Sequence, residues 1–272
     1  MVKEMRTREA AVAGRFYPGD ADTLRRVVAS LTGDLTAPKI SATGIVVPHA
    51  GYAYSGKTVG SVISCIQPAR RFVLLGPNHT GEGAALALAP EGKWCTPLGT
   101  VEVDGEMNRT LLALDPDLAE DARAHNREHS VEVQLPFLQL LQPGFTFSAI
   151  CVGTSDYPAL EALGHVLARM VRSSSEPVLL VTSSDMTHYE SADVARSLDT
   201  LAIDRMTAVD PRGLHRTVTE RGITMCGFAP AVSMLVACRD LGAASGRLIH
   251  YTNSGEASGD YDQVVGYAGI VI

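Results

Sequence analysis

Closely paired cysteines are missing from this chain. Its five cysteines, Cys65, Cys95, Cys151, Cys226 and Cys238, are odd in number and widely spaced, with no C-x-x-C pair. That excludes a disulfide framework and a zinc ribbon. Blocks of Lys and Arg are missing too, and with a net charge of −7 the chain carries no cationic footprint for nucleic acid or an anionic membrane surface. No run of about 18 apolar residues is available to span a bilayer. The opening MVKEMRTREAAVAGRFYPGD lacks the apolar stretch of a signal peptide, so a cytoplasmic location is expected. One Trp and six Phe leave no obvious stacking surface. There is no G-x-x-x-x-G-K-[ST] loop, no G-x-G-x-x-G after the first strand and no G-x-S-x-G elbow. NTP hydrolysis, dinucleotide binding and ordinary α/β-hydrolase chemistry lose support accordingly.

What is present is an ordinary globular composition. Hydrophobic residues make up 46% and charged residues 19%, which argues against disorder. The chain is long enough to bury a substantial core, and without linkers or repeats it reads as one domain, 1–272. Short apolar runs predict strands at Thr43 to Val47, Arg71 to Leu75, Ala84 to Ala89, Phe145 to Val152, Pro177 to Thr182, Leu248 to Thr252 and Val264 to Ile272. Their near-continuous apolar character suits strands buried on both faces. Helical patterns lie between them: Asp22 to Leu31 (with Asp20 or Asp22 as N-cap), Gly56 to Ile66, Leu160 to Val171, Ala192 to Val209 and Ala229 to Leu241. Val131 to Leu141 carries Pro136, which predicts a kink or a late start. The region Ala84 to Val103 suits an antiparallel hairpin beside the main sheet. Strands alternating with helices give an α/β, three-layer domain with a largely parallel central sheet and helices on both faces.

In such sheets ligands sit beyond the carboxyl ends of the strands, and the polar residues collect there. Pro48-His49-Ala50-Gly51-Tyr52, Gly76-Pro77-Asn78-His79-Thr80, Ser183-Ser184-Asp185-Met186-Thr187-His188-Tyr189 and Asn253-Ser254-Gly255-Glu256 each follow a predicted strand. Three of the eight His, namely His49, His79 and His188, therefore lie at strand exits. A lone His there is more often a satisfied turn residue; three at matching ends of one sheet point to a shared site. Two imidazoles with a third ligand are a common catalytic metal arrangement, and Asp185, Glu256 and Cys226 are the candidates for that third place. Cys226 precedes a predicted helix, whose free N–H groups favour a thiolate; a small buried hydrophobe is the plainer alternative. Asp185, three residues before His188, suits a carboxylate steering a general acid/base. The Tyr52-Ala53-Tyr54 loop, Asn78, His129 and Glu132 are read as pocket lining. His125 and His129, four apart, would share a helix face, but Asn126 stands where a zincin needs Glu.

These segments resemble the Memo-like family, whose bacterial and archaeal members are called AmmeMemoRadiSam system protein B. The resemblance runs nearly end to end through Ala13-Gly14-Arg15-Phe16-Tyr17-Pro18, Pro48-His49-Ala50-Gly51-Tyr52, Leu75-Gly76-Pro77-Asn78-His79, Glu128-His129-Ser130-Val131-Glu132, Ser183-Ser184-Asp185-Met186-Thr187-His188, Met225-Cys226-Gly227 and Gly266-Tyr267-Ala268. It implies a fold related to the class III extradiol dioxygenases, with His49, His79 and Cys226 as metal-site residues and His188, beside Asp185, as the catalytic His. Those dioxygenases use a carboxylate where this chain has Cys226, and a thiolate suits copper, zinc or iron–thiolate binding. The implied cofactor is an iron or copper ion, with zinc also compatible, and the implied activity a dioxygenase-like oxidoreductase. A binding module for metal or peptide that works with partner proteins and a zinc-dependent hydrolase are the other readings. The family label also implies a radical-SAM pathway partner; the substrate, small molecule or peptide, is unread.

Overall fold

Every predicted strand is present, with its borders moved by no more than a residue or two. The computed structural model describes residues 6–36 and 38–272, so the first five residues of the polar start lie outside it. The strands are β1 (Arg6–Arg8), β2 (Gly44–Val47), β3 (Arg71–Pro77), β4 (Leu86–Leu88), β5 (Gly92–Thr96), β6 (Gly99–Val103), β7 (Ala119–Glu120), β8 (Thr146–Val152), β9 (Val178–Ser183), β10 (His188–Glu190), β11 (Arg247–Asn253) and β12 (Val264–Val271). The helices are α1 (Ala21–Leu31), α2 (Tyr52–Cys65), α3 (Gly105–Leu114), α4 (Arg123–Asn126), α5 (Leu135–Leu141), α6 (Tyr157–Ser173), α7 (Ala192–Thr207), α8 (Pro211–Arg221), α9 (Phe228–Asp240) and α10 (Gly255–Ser258). Among the described residues no helix is long and apolar enough to cross a membrane.

All twelve strands join one sheet, in the path β1-β5-β6-β8-β3-β9-β2-β12-β10. Its centre, β8-β3-β9-β2, is parallel throughout. Antiparallel pairing is confined to the margins: the β5–β6 hairpin, β4 against β8, and β12 against β2, β10 and β11. The expected hairpin thus extends the sheet itself, through β6 on β8.

Side chains alternate across the pleat, and the central strands use both faces. Val46, Val73, Leu75, Ile150 and Leu180 enter the core under α6, α7, α8 and α9. Ile45, Phe72, Leu74, Phe147, Leu179 and Val181 enter the core under α1, α2 and α5. Burial on both sides explains why these strands read as continuous apolar runs. Helix starts follow local chemistry. Asp20 caps α1 by accepting from Thr23 N, and Asp156 caps α6 by accepting from Ala159 N. Pro136 sits in the first turn of α5, where its missing N–H costs nothing, and a short 3₁₀ turn (Glu132–Gln134) precedes it. The late start, rather than a kink, is what the chain adopts.

Candidate metal centre

The parallel centre delivers three polar turns to one edge of the sheet. The registers Val47↔Ser183 and Leu75↔Thr182 bring the ends of β2, β3 and β9 side by side. His49 follows β2, His79 follows β3, and Asp185 and His188 follow β9. His129 arrives from the loop between α4 and the 3₁₀ turn. Ring nitrogens of His49, His79 and His129 lie within 4.8 Å of one another. The His79 and His129 rings stack at 4.8 Å between centroids, and His49 stands edge-on to them at 5.1 and 5.3 Å.

Cys226 joins from the start of α9, its Sγ 3.2 Å from His49 Nε2. Gly227 makes this approach feasible, because a Cβ there would lie 2.4 Å from the Ser183 carbonyl oxygen. Burial, helped by the charge of Asp185, pushes the Cys226 thiol up, opposite to the effect of a helix N-terminus alone. The structure therefore gathers His49, His79 and Cys226, and it adds His129, expected only as lining, to the imidazole cluster.

Two carboxylates hold the histidine loops. Glu128 Oε2 accepts from His79 N at 2.7 Å, and its Oε1 accepts from His129 N and Ser130 N, each at 2.9 Å. The same Oε1 is 2.9 Å from His79 Nδ1 and 3.4 Å from His129 Nδ1. Burial works against the Glu128 charge, but the His79 bond and charge and the backbone donors outweigh it and bring the carboxyl down to about 2. Burial likewise works to lower His79, and the Glu128 bond and charge reverse it, leaving His79 raised. His49 lies well below its ordinary value, through burial first and then its neighbours His129 and His79. Burial also lowers His129. Asp185 accepts from His49 N at 2.7 Å and Ala50 N at 3.3 Å, and burial still lifts it to about 6.

His188 is half-buried; its backbone N–H donates to Thr224 Oγ1 and its Nδ1 lies 3.0 Å from the Thr224 carbonyl oxygen. A carbonyl can only accept, so Nδ1 carries the proton and Nε2 is left as the base. The next residue, Tyr189, holds a left-handed backbone, φ 63°, a conformation that non-glycine residues adopt mainly under constraint.

The remaining expected residues have other placements. Tyr52 opens α2 instead of sitting in a loop, and its hydroxyl donates to the Val133 carbonyl at 2.6 Å. Tyr54, in the same turn, is exposed. Asn78 braces the turn after β3, accepting from Gly81 N and donating to the Glu82 carbonyl. Glu132 faces the N-terminal segment, taking bonds from Arg8, Ala11 N, Val12 N and the Tyr17 hydroxyl. Glu256 is exposed on α10, outside the cluster. His125 and His129 do not share a helix face, because α4 ends at Asn126. His125 Nε2 donates to the Ala87 carbonyl at 3.1 Å instead. Sequence reasoning gave no role to Glu128, Gln134 or Ser183; the adjacency of Glu128 to His129 and the place of Ser183 in a strand-exit turn were the signals available.

The donor set fits a metal ion. A ligating imidazole ordinarily gives its second nitrogen to a carboxylate or another fixed acceptor, and Nδ1 of His79 and of His49 are each held in this way, by Glu128 and Ser183.

Comparison with known proteins places the chain in a family. The sequence profile described as Memo-like protein matches residues 8–271. A MEMO1 family protein of Methanopyrus kandleri is 38% identical over 277 residues, covering 97% of this chain and 98% of the relative. One from Aquifex aeolicus is 42% identical over 98% of this chain and 99% of its own. The solved structure of an uncharacterized protein from Escherichia coli K12 matches with a TM-score of 0.57 over 84% of this chain and 99% of that one; at 11% identity this is a likeness of fold.

Proposed function

The chain belongs to the Memo-like family, and on that premise we propose that it is a metal-dependent oxidoreductase of dioxygenase-like chemistry. The observation that carries the reading is the convergence of three imidazole nitrogens within 4.8 Å, at the strand ends where open α/β sheets place their ligands. His49, His79 and His129 would hold an iron or copper ion, with the Cys226 thiol at its edge. Such an ion supplies electron transfer and polarisation of a small bound molecule.

The chain's own residues do the rest. Glu128 fixes His79 and the His129 loop, and Asp185 ties the His49 loop to the end of β9. His188, with Nδ1 committed to Thr224, offers Nε2 for moving a proton.

A second reading is favoured by the same observation. Three imidazoles are a set that holds hydrolytic zinc with one open position, which makes a zinc-dependent hydrolase the second reading. One experiment separates the two. The protein is purified without oxygen and its metal content measured beside His129→Ala, Cys226→Ser and the His49→Ala/His79→Ala double variant. Near-stoichiometric iron or copper, lost in the double variant, with oxygen consumption that His188→Ala abolishes, is the expected result. Zinc in place of iron and copper favours the hydrolase. Equal metal in every variant removes the site from consideration.

A further inference from the structure

The hydroxyl of Ser183 has three hydrogen-bonding neighbours whose roles leave no freedom. It lies 2.6 Å from the Ser130 carbonyl oxygen, which can only accept, so the single Ser183 proton goes there. Gln134 Nε2 lies 3.0 Å away and can only donate. Its amide cannot be turned round, because Nε2 also donates to the Pro48 carbonyl at 2.8 Å, and an oxygen in its place would face another oxygen. The third neighbour is His49 Nδ1, at 2.9 Å. A hydroxyl with its proton committed can meet that ring nitrogen only as an acceptor.

We propose that Ser183 and Gln134 are positioning residues that lock His49 in the Nδ1–H tautomer and so present the Nε2 lone pair to the metal site. The hydroxyl is then saturated, with one bond donated and two accepted. His49 Nε2 is left facing the Cys226 thiol and the other two imidazoles. The arrangement carries a cost. Gln134 is buried, and its Oε1 accepts from no group among the described residues. A glutamine here satisfies its two N–H groups and leaves an acceptor orphaned, an unusual state for a buried amide.

The relay and the site share one strap of chain. Glu128, His129, Ser130 and Gln134 come from a single short segment that wraps the strand ends. Glu128 sets the tautomer of His79 as Ser183 sets that of His49: its Oε1 already accepts from His129 N and Ser130 N, and it meets Nδ1 of His79 as an acceptor too. In both rings the outer nitrogen is Nδ1 and the inner one Nε2, so the same segment organises two ligands and supplies a third.

The inference rests on the metal-binding reading only for its effect on affinity. The tautomer itself is read from long-range proton–nitrogen NMR correlations of the labelled imidazoles in chelator-treated protein. Zn²⁺ affinity is then measured by chelator competition for wild type, Ser183→Ala and Ser233→Ala. Ser233 is a control of the same kind: a buried serine whose hydroxyl donates to one carbonyl, that of Leu160, away from the site. The expected results are a His49 spectrum of the Nδ1–H form, a mixed spectrum in Ser183→Ala, and Zn²⁺ binding weakened about 10–100-fold in Ser183→Ala alone. A wild-type His49 protonated at Nε2 overturns the proposal. So does wild-type affinity in Ser183→Ala, or an equal loss in Ser233→Ala. If no protein binds Zn²⁺, iron or copper, the metal reading falls, and the tautomer spectra of wild type and Ser183→Ala still decide the relay.

Discussion

The run His125 to Glu132 contains two histidines and two glutamates, and the fold sends one of each in opposite directions. Glu128 and His129 face the cluster with His49 and His79. His125 and Glu132 face the N-terminal segment, where Arg8 donates to the His125 and Glu128 carbonyls and to the Glu132 carboxylate. Residue type does not separate the two pairs. What separates them is which atoms are already committed. Glu132 has both oxygens engaged with Arg8, the backbone and Tyr17, and His125 gives its Nε2 to Ala87 while its ring packs against Trp94. Glu128 is engaged at both oxygens as well, but its bonds go to His79 and the His129 loop, while the His129 ring turns a nitrogen to the cluster. The two histidines differ in that His125 has spent its Nε2 on a carbonyl, and the two glutamates differ in what they hold.

The comparison is most exposed at Glu132. Glu132→Gln leaves the Arg8 guanidinium, only 8% exposed, without its counter-charge, and breaking one half of a buried pair costs about 3–5 kcal/mol. Urea unfolding should show that loss, while metal bound per folded molecule stays at the wild-type level. Loss of metal from still-folded protein would erase the distinction between the two glutamates.

His125 supplies a pH test. Burial brings it down to about 4, so the unfolded chain takes up this proton near pH 6.5 and the folded protein does so only at lower pH. Its contribution is complete above about pH 6.5 and lost as pH falls toward 4, at no more than about 1.4 kcal/mol per pH unit. His125→Asn should therefore flatten part of the wild-type decline in unfolding free energy between those limits. An unchanged slope would mean that His125 is protonated in the fold.

Glu128→Gln should act on the other side of the comparison. Metal affinity should fall about 10–100-fold, as for other outer-sphere partners of ligating imidazoles, equivalent to about 1.4–2.7 kcal/mol. A chelator competition that finds less than a three-fold change, on the order of 0.7 kcal/mol, would make Glu128 a loop brace and nothing more. The smallest effect belongs to Arg127, which sits between the two pairs and makes an ion pair with Glu82 on the surface, 72% exposed. Arg127→Ala should stay within about 0.5 kcal/mol of wild type in the same unfolding assay and leave metal content unchanged.

The sequence made the strand exits legible because strands buried on both faces are plain apolar runs, and the turn that ends each is marked by Pro, Gly or Asn or, after β9, by Ser and Asp. That was enough to find His49, His79 and His188. Helices α3 and α8 were passed over although Asp104 and Asp210 stand at their N-caps; capping alone does not announce a helix. β1, β7 and β10, at two or three residues each, are too short for any periodicity. The support of the site was illegible for a different reason. Glu128 acts on a histidine 49 positions earlier and Ser183 on one 134 positions earlier, so their roles exist only once the sheet has ordered its strands. The shared helix face expected for His125 and His129 failed because α4 stops after a single turn, and the spacing carries meaning only if the helix continues.

The Arg8 clasp has a consequence for the order in which the molecule comes into being. Its bonds to the His125 and Glu128 carbonyls and to Glu132 close loops of 117, 120 and 124 residues, and Cys226 meets His49 across 177 more widely separated positions. Contacts this distant in sequence form late and slowly, after local helices and hairpins. Both members of the His79–Glu128 pair leave the ribosome well before Cys226 is made, so the imidazole half of the pocket is synthesised ahead of its sulfur half. An ion captured early would then be held by nitrogen alone, and it would meet the thiol only as α9 docks and the final strands close over β2.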